Sequence, residues 1–257
     1  MINYKIILEY DGSRYNGWQR QGNTDNTIQG KLEQIIGRYF DQNIEIHGSG
    51  RTDAGVHAIG QVANFKVDHR LVPAFIDVNN LSVIFTDLNV FLPEDIRIID
   101  LQIVNDRFHA RLNAVSKIYR YRICLTAKKS VFERKYCTAI SEPLDIKLMQ
   151  EASAQFIGEH DYGCFSDTKT KKSTIRTVDS ITFIEDFNGV DRYLAVDFRG
   201  DGFLYHTVRL MMGTLIKIGL HQCPSTIISD IFASNNRKLV PYMAPAEGLI
   251  LYSVSYK

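Results

Sequence analysis

The sequence lacks any run of eighteen apolar residues, and its opening residues, MINYKIILEYDG, have neither the apolar segment nor the small-residue cleavage site of a signal peptide. We therefore expect a cytoplasmic protein with no membrane partner. With 257 residues, 45% of them hydrophobic and 23% charged, the chain is long enough to bury one sizeable core or two smaller ones.

Patterns of metal ligands and disulfides are also missing. The seven histidines show no HxxxH spacing beside a carboxylate, which excludes the commonest metal-hydrolase motifs. The cysteines are widely separated and form no CxxC pair, so we expect reduced thiols rather than a zinc site or a disulfide framework. They are Cys124, Cys137, Cys164 and Cys223. No metal and no cofactor is predicted.

The chain has little excess charge, only +1 with a pI near 7.7, which gives no support for a polyanionic partner. Basic residues do cluster locally. One cluster consists of Arg107, Arg111, Lys117, Arg120, Arg122, Lys128 and Lys129, and another of Lys169, Lys171, Lys172 and Arg176. Such clusters are more often solvated surfaces than RNA-binding grooves, so charge alone leaves an RNA partner open.

Hydrophobic periodicity predicts alternating strands and helices. Apolar residues alternate with polar ones from Ile2 to Tyr10, the period of a half-buried strand. From Thr27 to Tyr39 they follow helical spacing, with Asn26 or Thr27 as the N-cap. Further strands are predicted at residues 43–47, 60–67, 96–104, 117–125, 180–185, 192–198 and 248–256. Further helices are predicted at residues 74–85, 145–156, 203–220 and 225–232.

This order of elements predicts an α+β protein made of two similar α/β halves with mainly antiparallel sheets. The division is expected near residues 105–115, which gives an N-terminal half of residues 1–107 and a C-terminal half of residues 108–257. A cleft between the two halves is the default place for a substrate.

Three glycines in residues 48–58, GSGRTDAGVHA, confine Arg51, Thr52 and Asp53 to one short loop. A Walker loop would need Lys-Ser or Lys-Thr after its last glycine, and a dinucleotide-binding loop would need a glycine in place of Asp53. Both phosphate-binding alternatives therefore fail. A plain turn in which Asp53 caps the backbone stays open.

This loop resembles the signature loop of the tRNA pseudouridine synthase A family. Other segments that resemble the family follow in its order: EYDG (9–12), GWQRQ (17–21), FHAR (108–111), YRY (119–121), GEHDY (158–162), GFL (202–204), HTVR (206–209) and APAEGL (244–249). Residues 158–162 and 244–249 are interpreted as turns that maintain the fold. The resemblance therefore spans nearly the whole chain.

The resemblance implies an isomerase that converts uridine to pseudouridine at positions 38–40, in the anticodon stem-loop of tRNA. It also implies a homodimer, a central cleft that binds RNA, and Asp53 as the catalytic carboxylate. The reaction breaks the N1–C1′ bond, turns the uracil and joins C5 to C1′. Because no water attacks, one ionised carboxylate suffices where glycoside hydrolases use two. Whether Asp53 adds to C1′ or removes the 2′ proton stays open.

Two residues of the C-terminal half are implied as catalytic. Arg209 interrupts an apolar helical run, so it either faces an anion or lies on an exposed stripe of the helix. By the resemblance that anion is Asp53, kept ionised by the pair. Tyr119 alternates with Tyr121 on a strand, a spacing more typical of core residues. It nevertheless matches the family's active-site tyrosine, whose ring packs on the flipped uracil and whose hydroxyl is a candidate base for the C5 proton.

Substrate contacts are implied for Arg51, Tyr119, His57 and Arg111. Arg51 is expected to contact RNA, filling the space that the flipped base leaves or pairing with phosphate. A salt bridge that stiffens the loop is the other interpretation of Arg51.

Two further functions remain as alternatives. The first is a non-catalytic RNA-binding protein that assists tRNA folding, in which Asp53 only caps a turn. The second is a nucleoside hydrolase, although the chain has no Asp-rich metal loop to activate water.

Overall fold

The structure, a computed structural model, describes residues 1–167 and 173–257. The basic residues Lys169, Lys171 and Lys172 lie outside this described part. The chain divides into two compact units, Met1–Val115 with Leu251–Lys257 and Ser116–Ile250. Both combine helices with mainly antiparallel strands, which confirms the predicted α+β class.

The strands are β1 (Ile2–Tyr10), β2 (Ile46–Gly48), β3 (His57–Val67), β4 (Ile96–Val104), β5 (Ala114–Cys124), β6 (Thr138–Ala139), β7 (Gly158–Asp161), β8 (Ile175–Phe187), β9 (Arg192–Gly200) and β10 (Leu249–Tyr256). The helices are α1 (Ile28–Phe40), α2 (Leu81–Phe91), α3 (Ile146–Ser153), α4 (Thr207–Gly219) and α5 (Ile227–Ser234).

In the first unit, β1 pairs antiparallel with both β3 and β4, and β2 pairs with the other edge of β3. The core lies where α1 meets this sheet. Tyr4 stacks on Phe40 and Phe65 at centroid distances of 5.8 and 5.3 Å, and all three side chains are fully buried. The apolar stripe of α1 therefore seals one face of the sheet, as its 3.6-residue period predicted.

In the second unit, β9 pairs antiparallel with β5 and β8, β8 pairs with β7, and β6 runs parallel to the end of β5. Helix α4 carries much of the core, with Leu210, Met211 and Met212 fully buried. A second apolar cluster brings the rings of Phe156 and Phe165 to within 5.0 Å.

Strands β1 and β4 have their predicted bounds, and the predicted N-cap of α1 is confirmed because Thr27 Oγ1 accepts from the Gly30 amide at 3.2 Å. The helix predicted at residues 74–85 is wrong. Helix α2 begins at Leu81, where the Asn80 side chain accepts from the Val83 amide at 3.3 Å. The preceding residues form successive turns, so this polar cap decides the start.

Two shorter segments also differ from expectation. The strand predicted at residues 43–47 begins at Ile46, where pairing with Phe65 starts. The segment expected as a turn at residues 158–162 contains strand β7, whose Glu159 pairs with Thr177 of β8. Both outcomes depend on pairing with a strand that is distant in the sequence. Local turn signals carry no information about that pairing.

Candidate active site

The loop that contains Asp53 joins β2 to β3 in the first unit. Asp53 opens a tight turn that closes where its carbonyl oxygen accepts from the Val56 amide at 3.1 Å. Gly55 completes the turn with φ +79°, a conformation that a side chain disfavours. The Asp53 side chain is half-buried, so the turn presents one carboxylate at the surface of a rigid loop.

Buried polar side chains, including two on strands β1 and β3, anchor this loop. The hydroxyls of Tyr10 and Thr52 are hydrogen-bonded at 2.8 Å, and Thr52 immediately precedes Asp53 in the sequence. Gln61 accepts from the Ser49 hydroxyl at 2.7 Å and donates to the Gly50 carbonyl at 2.9 Å. Burial raises the pKa of Tyr10 far above its ordinary value, so its hydroxyl stays protonated. The loop is therefore held on both sides of Arg51.

A second loop, between β1 and α1, packs against the first. The Trp18 amide donates to the Thr52 carbonyl at 3.0 Å, and the Trp18 side chain is only 2% exposed. Gly17 has φ +89°, and a Cβ there would stand 2.6 Å from the Thr52 carbonyl oxygen. The exposed Arg51 guanidinium donates through Nε to Gln19 Oε1 at 2.7 Å.

His57 stands at the other end of the loop that contains Asp53, at the start of β3. Its ring is only 3% exposed, and Nδ1 accepts from the Gly12 amide at 3.0 Å. Asp11 lies 3.3 Å from the same nitrogen and accepts from the Ser13 amide at 2.9 Å. The histidine thus holds the turn at the end of β1, and a direct contact with RNA stays a prediction.

Arg111 is exposed, on a turn of the first unit between β4 and β5. The turn is fixed through Ala110, whose amide donates to Asn64 at 2.8 Å and whose carbonyl accepts from the Tyr256 hydroxyl at 2.7 Å. Burial, together with neighbouring charges, lowers the pKa of His109, which accepts from the Arg111 amide at 3.1 Å. Arg111 is therefore presented to solvent from a rigid base.

Tyr119 lies on β5 of the second unit and is 7% exposed. Its ring packs edge-on against Phe203 at 5.4 Å and 87°. Tyr121, two residues on, is fully buried, with its hydroxyl within 2.7 Å of Thr138 Oγ1 and donating to the Pro245 carbonyl at 3.0 Å. Both alternating tyrosines are therefore buried, Tyr121 completely and Tyr119 with a small exposed fraction.

Arg209 lies in the first turn of α4 and is half-buried between buried neighbours. Its Nε donates to the Ala244 carbonyl at 2.8 Å, and the Ala244 amide donates back to the Arg209 carbonyl at 3.0 Å. The helix starts from His206, a non-glycine residue at φ +67° whose Nδ1 lies 2.7 Å from Asp167. Asp167 also accepts from Arg237 at 3.0 Å, so a hydrogen-bonded carboxylate braces the start of α4.

The first unit brings Arg51 and Asp53 together on one loop, with His57 at its end, and carries Arg111 on a separate turn. The second unit carries Tyr119 and Arg209 on β5 and α4. Sequence reasoning assigned no anchoring role to Tyr10, Gln19, Thr52 and Phe203, although it quoted them, and it did not single out Gln61. The sequence did contain one signal, which concerned Tyr10. A tyrosine on the buried face of a strand needs a hydrogen-bond partner for its hydroxyl.

Within residues 1–167 and 173–257, no group of three or more His, Cys, Asp or Glu side chains is arranged to hold a metal ion. Over the same residues, every helix is too short or too polar to cross a membrane.

Comparison with known sequences gives matches over the entire chain. The family described as tRNA pseudouridine synthase matches residues 6–111 and 152–257, which agrees with two similar halves. The tRNA pseudouridine synthase A 2 of Bacillus cereus (strain ZK / E33L) is 41% identical over 257 residues, covering 100% of both chains. At the same coverage, tRNA pseudouridine synthase A is 44% identical in Bacillus sp. (strain KSM-64) and 38% identical in Acetivibrio thermocellus.

Proposed function

The chain belongs to the tRNA pseudouridine synthase family, and we propose that it isomerises uridine to pseudouridine at positions 38–40, in the anticodon stem-loop of tRNA. Asp53 is the catalytic carboxylate in this proposal. The observation that carries the assignment is the loop itself, which holds a half-buried carboxylate beside Thr52, a residue anchored by Trp18 and Tyr10. Such pre-organisation is what a reacting group needs.

The chemistry requires one ionised carboxylate and no water. The N1–C1′ bond breaks with its electrons on the uracil, the base turns, and C5 bonds to C1′ before losing its proton. Asp53 either attacks C1′ to form a covalent intermediate or removes the 2′ proton to form a glycal. Both routes return the carboxylate to its initial state, so neither metal nor cofactor is consumed.

For the second unit we propose the roles that the resemblance implies. Arg209 supplies the positive charge that keeps the catalytic carboxylate ionised. The bond from its Nε to the Ala244 carbonyl supports this role, because it fixes the direction of the guanidinium. Tyr119 packs on the uracil and removes the C5 proton, and Phe203 holds its ring edge-on.

The remaining predicted residues contribute to RNA binding in this proposal. Arg51 and Arg111 are exposed and contact the RNA backbone, and Arg51 offsets part of the cost of flipping the uridine. His57 contributes by holding Gly12 beside the loop. By the same resemblance we propose that the protein acts as a homodimer in the cytoplasm.

The experiment uses tRNA transcripts that carry tritium at C5 of uridine, incubated with purified protein without metal or nucleotide. Pseudouridine formation releases this tritium to water, and free uracil is measured in the same sample. We expect tritium release and carbodiimide-reactive sites in the anticodon arm, with no free uracil. Free uracil would favour the nucleoside hydrolase, and tight binding without tritium release would favour the non-catalytic RNA-binding protein.

A further inference from the structure

The side chain of Gln19 holds Arg51 from the neighbouring loop. Gln19 Oε1 accepts from Arg51 Nε at 2.7 Å. Nε is one end of the guanidinium, and the Nη1/Nη2 edge still offers two parallel donors. An arginine edge of this kind matches the oxygens of a phosphate. The bond to Gln19 therefore sets the direction of the guanidinium while sparing the edge that suits RNA.

The backbone on either side of Gln19 is fixed, which makes this side chain a firm support. The Trp18 amide donates to Thr52 at 3.0 Å, and the Trp18 carbonyl accepts from the Gln29 amide at 3.0 Å. The Arg20 amide donates to the Gln29 side chain at 3.0 Å. Because Gln29 belongs to α1, the segment that presents Gln19 is tied both to the helix and to the loop that contains Asp53.

We propose that Gln19 is a positioning residue for RNA binding, which orients Arg51 so that its Nη1/Nη2 edge contacts one RNA phosphate next to the flipped uridine. The inference rests on the proposed function. An arginine side chain on a surface loop samples many rotamers, and the hydrogen bond from Gln19 limits them before RNA arrives. Gln19 affects the reaction only through Arg51.

The test is a double-mutant cycle with Gln19→Met, which keeps the length of the side chain and loses the acceptor, and Arg51→Met. We expect Gln19→Met to raise KM for tRNA about five-fold, the size of one lost hydrogen bond, with kcat within about two-fold. In the Arg51→Met background, Gln19→Met has no further effect on KM. Arg51→Met also lowers the slope of log Kd against log salt by about 0.7 to 0.9, as for one lost phosphate contact.

Gln21→Met is the matched control, because Gln21 lies in the same loop and donates to the Asn16 carbonyl at 2.8 Å instead of contacting Arg51. It should leave KM unchanged in both backgrounds. Equal effects of Gln19→Met with and without Arg51 would overturn the inference, as would an effect confined to thermal stability. If wild-type protein binds tRNA without modifying it, the proposed function fails. The role of Gln19 can then still be tested by measuring Kd for tRNA in the same set of variants. Absence of RNA binding would overturn both.

Discussion

The amide of Trp18 donates to the carbonyl oxygen of Thr52 at 3.0 Å, one residue before Asp53. The position of the candidate catalytic carboxylate therefore depends on a second loop that is more than thirty residues away in the sequence. Gly17 makes this contact possible, because its φ of +89° and its missing Cβ let the two backbones meet.

Substituting Gly17 with alanine tests this packing. The new Cβ would stand 2.6 Å from the Thr52 carbonyl, at a φ that alanine disfavours, so the two loops must separate. We expect a loss of more than about 1 kcal/mol in the free energy of unfolding and a loss of turnover. Gly22→Ala is the matched control, because no atom lies within 4 Å of a Cβ at that position. Equal stability and turnover in the two variants would contradict the packing account.

Removing the Tyr10 hydroxyl should weaken the support of the loop that contains Asp53. Tyr10→Phe leaves the buried Thr52 hydroxyl without its 2.8 Å partner, at a cost of about 1 to 3 kcal/mol in unfolding free energy. Turnover should fall as well, because Thr52 adjoins Asp53. Tyr39→Phe removes a hydroxyl bonded to Asp87 at 3.0 Å in the same unit, away from the loop. Denaturant unfolding and single-turnover kinetics should show stability loss in both variants and slow turnover only in Tyr10→Phe.

We expect the Tyr119 hydroxyl to act in the chemical step of the reaction. Tyr119→Phe keeps the ring that packs on Phe203, so tRNA should bind with unchanged Kd while the rate of the chemical step falls by about 100-fold or more. Tyr121→Phe should show the opposite pattern, with a loss of stability and a normal rate, because its hydroxyl bonds to Thr138 and Pro245 in the core. A normal single-turnover rate in Tyr119→Phe would contradict the proposed role of the Tyr119 hydroxyl.

The contacts that brace the start of α4 should give stability that depends on pH. Burial raises the pKa of Asp167, but hydrogen bonds from His206 and Arg237 outweigh it, and the net pKa is lowered. A carboxylate with a lowered folded-state pKa stabilises the fold above its unfolded pKa, about 3.9, and loses this contribution as pH falls through the folded value. Wild type should thus exceed Asp167→Asn in thermal midpoint at pH 6, and the gap should narrow progressively as the pH falls below the unfolded pKa. If the thermal midpoints of the two proteins changed in parallel with pH, the ionic contribution of Asp167 would be refuted.

The sequence predicted those elements whose structure is determined by residues nearby in the chain. Alternation predicted β1, and a polar cap with helical spacing predicted α1. Helix α2 was misplaced because its start depends on the Asn80 side chain, which caps the helix by accepting from the Val83 amide. The glycines of residues 48–58 marked the loop that contains Asp53. Its anchor Gln61 was not predictable, because the contacts of Gln61 depend on the register in which β3 pairs.

Asp53→Asn tests the central claim most directly. The amide keeps the size of the side chain and removes its charge, so tRNA binding and the thermal midpoint should be preserved. Asp25→Asn, on the exposed neighbouring loop, is the matched control. We predict that carbodiimide mapping of tRNA shows pseudouridine in the anticodon arm with wild type and Asp25→Asn, and none with Asp53→Asn. Undiminished pseudouridine with a folded, tRNA-binding Asp53→Asn protein would contradict the account.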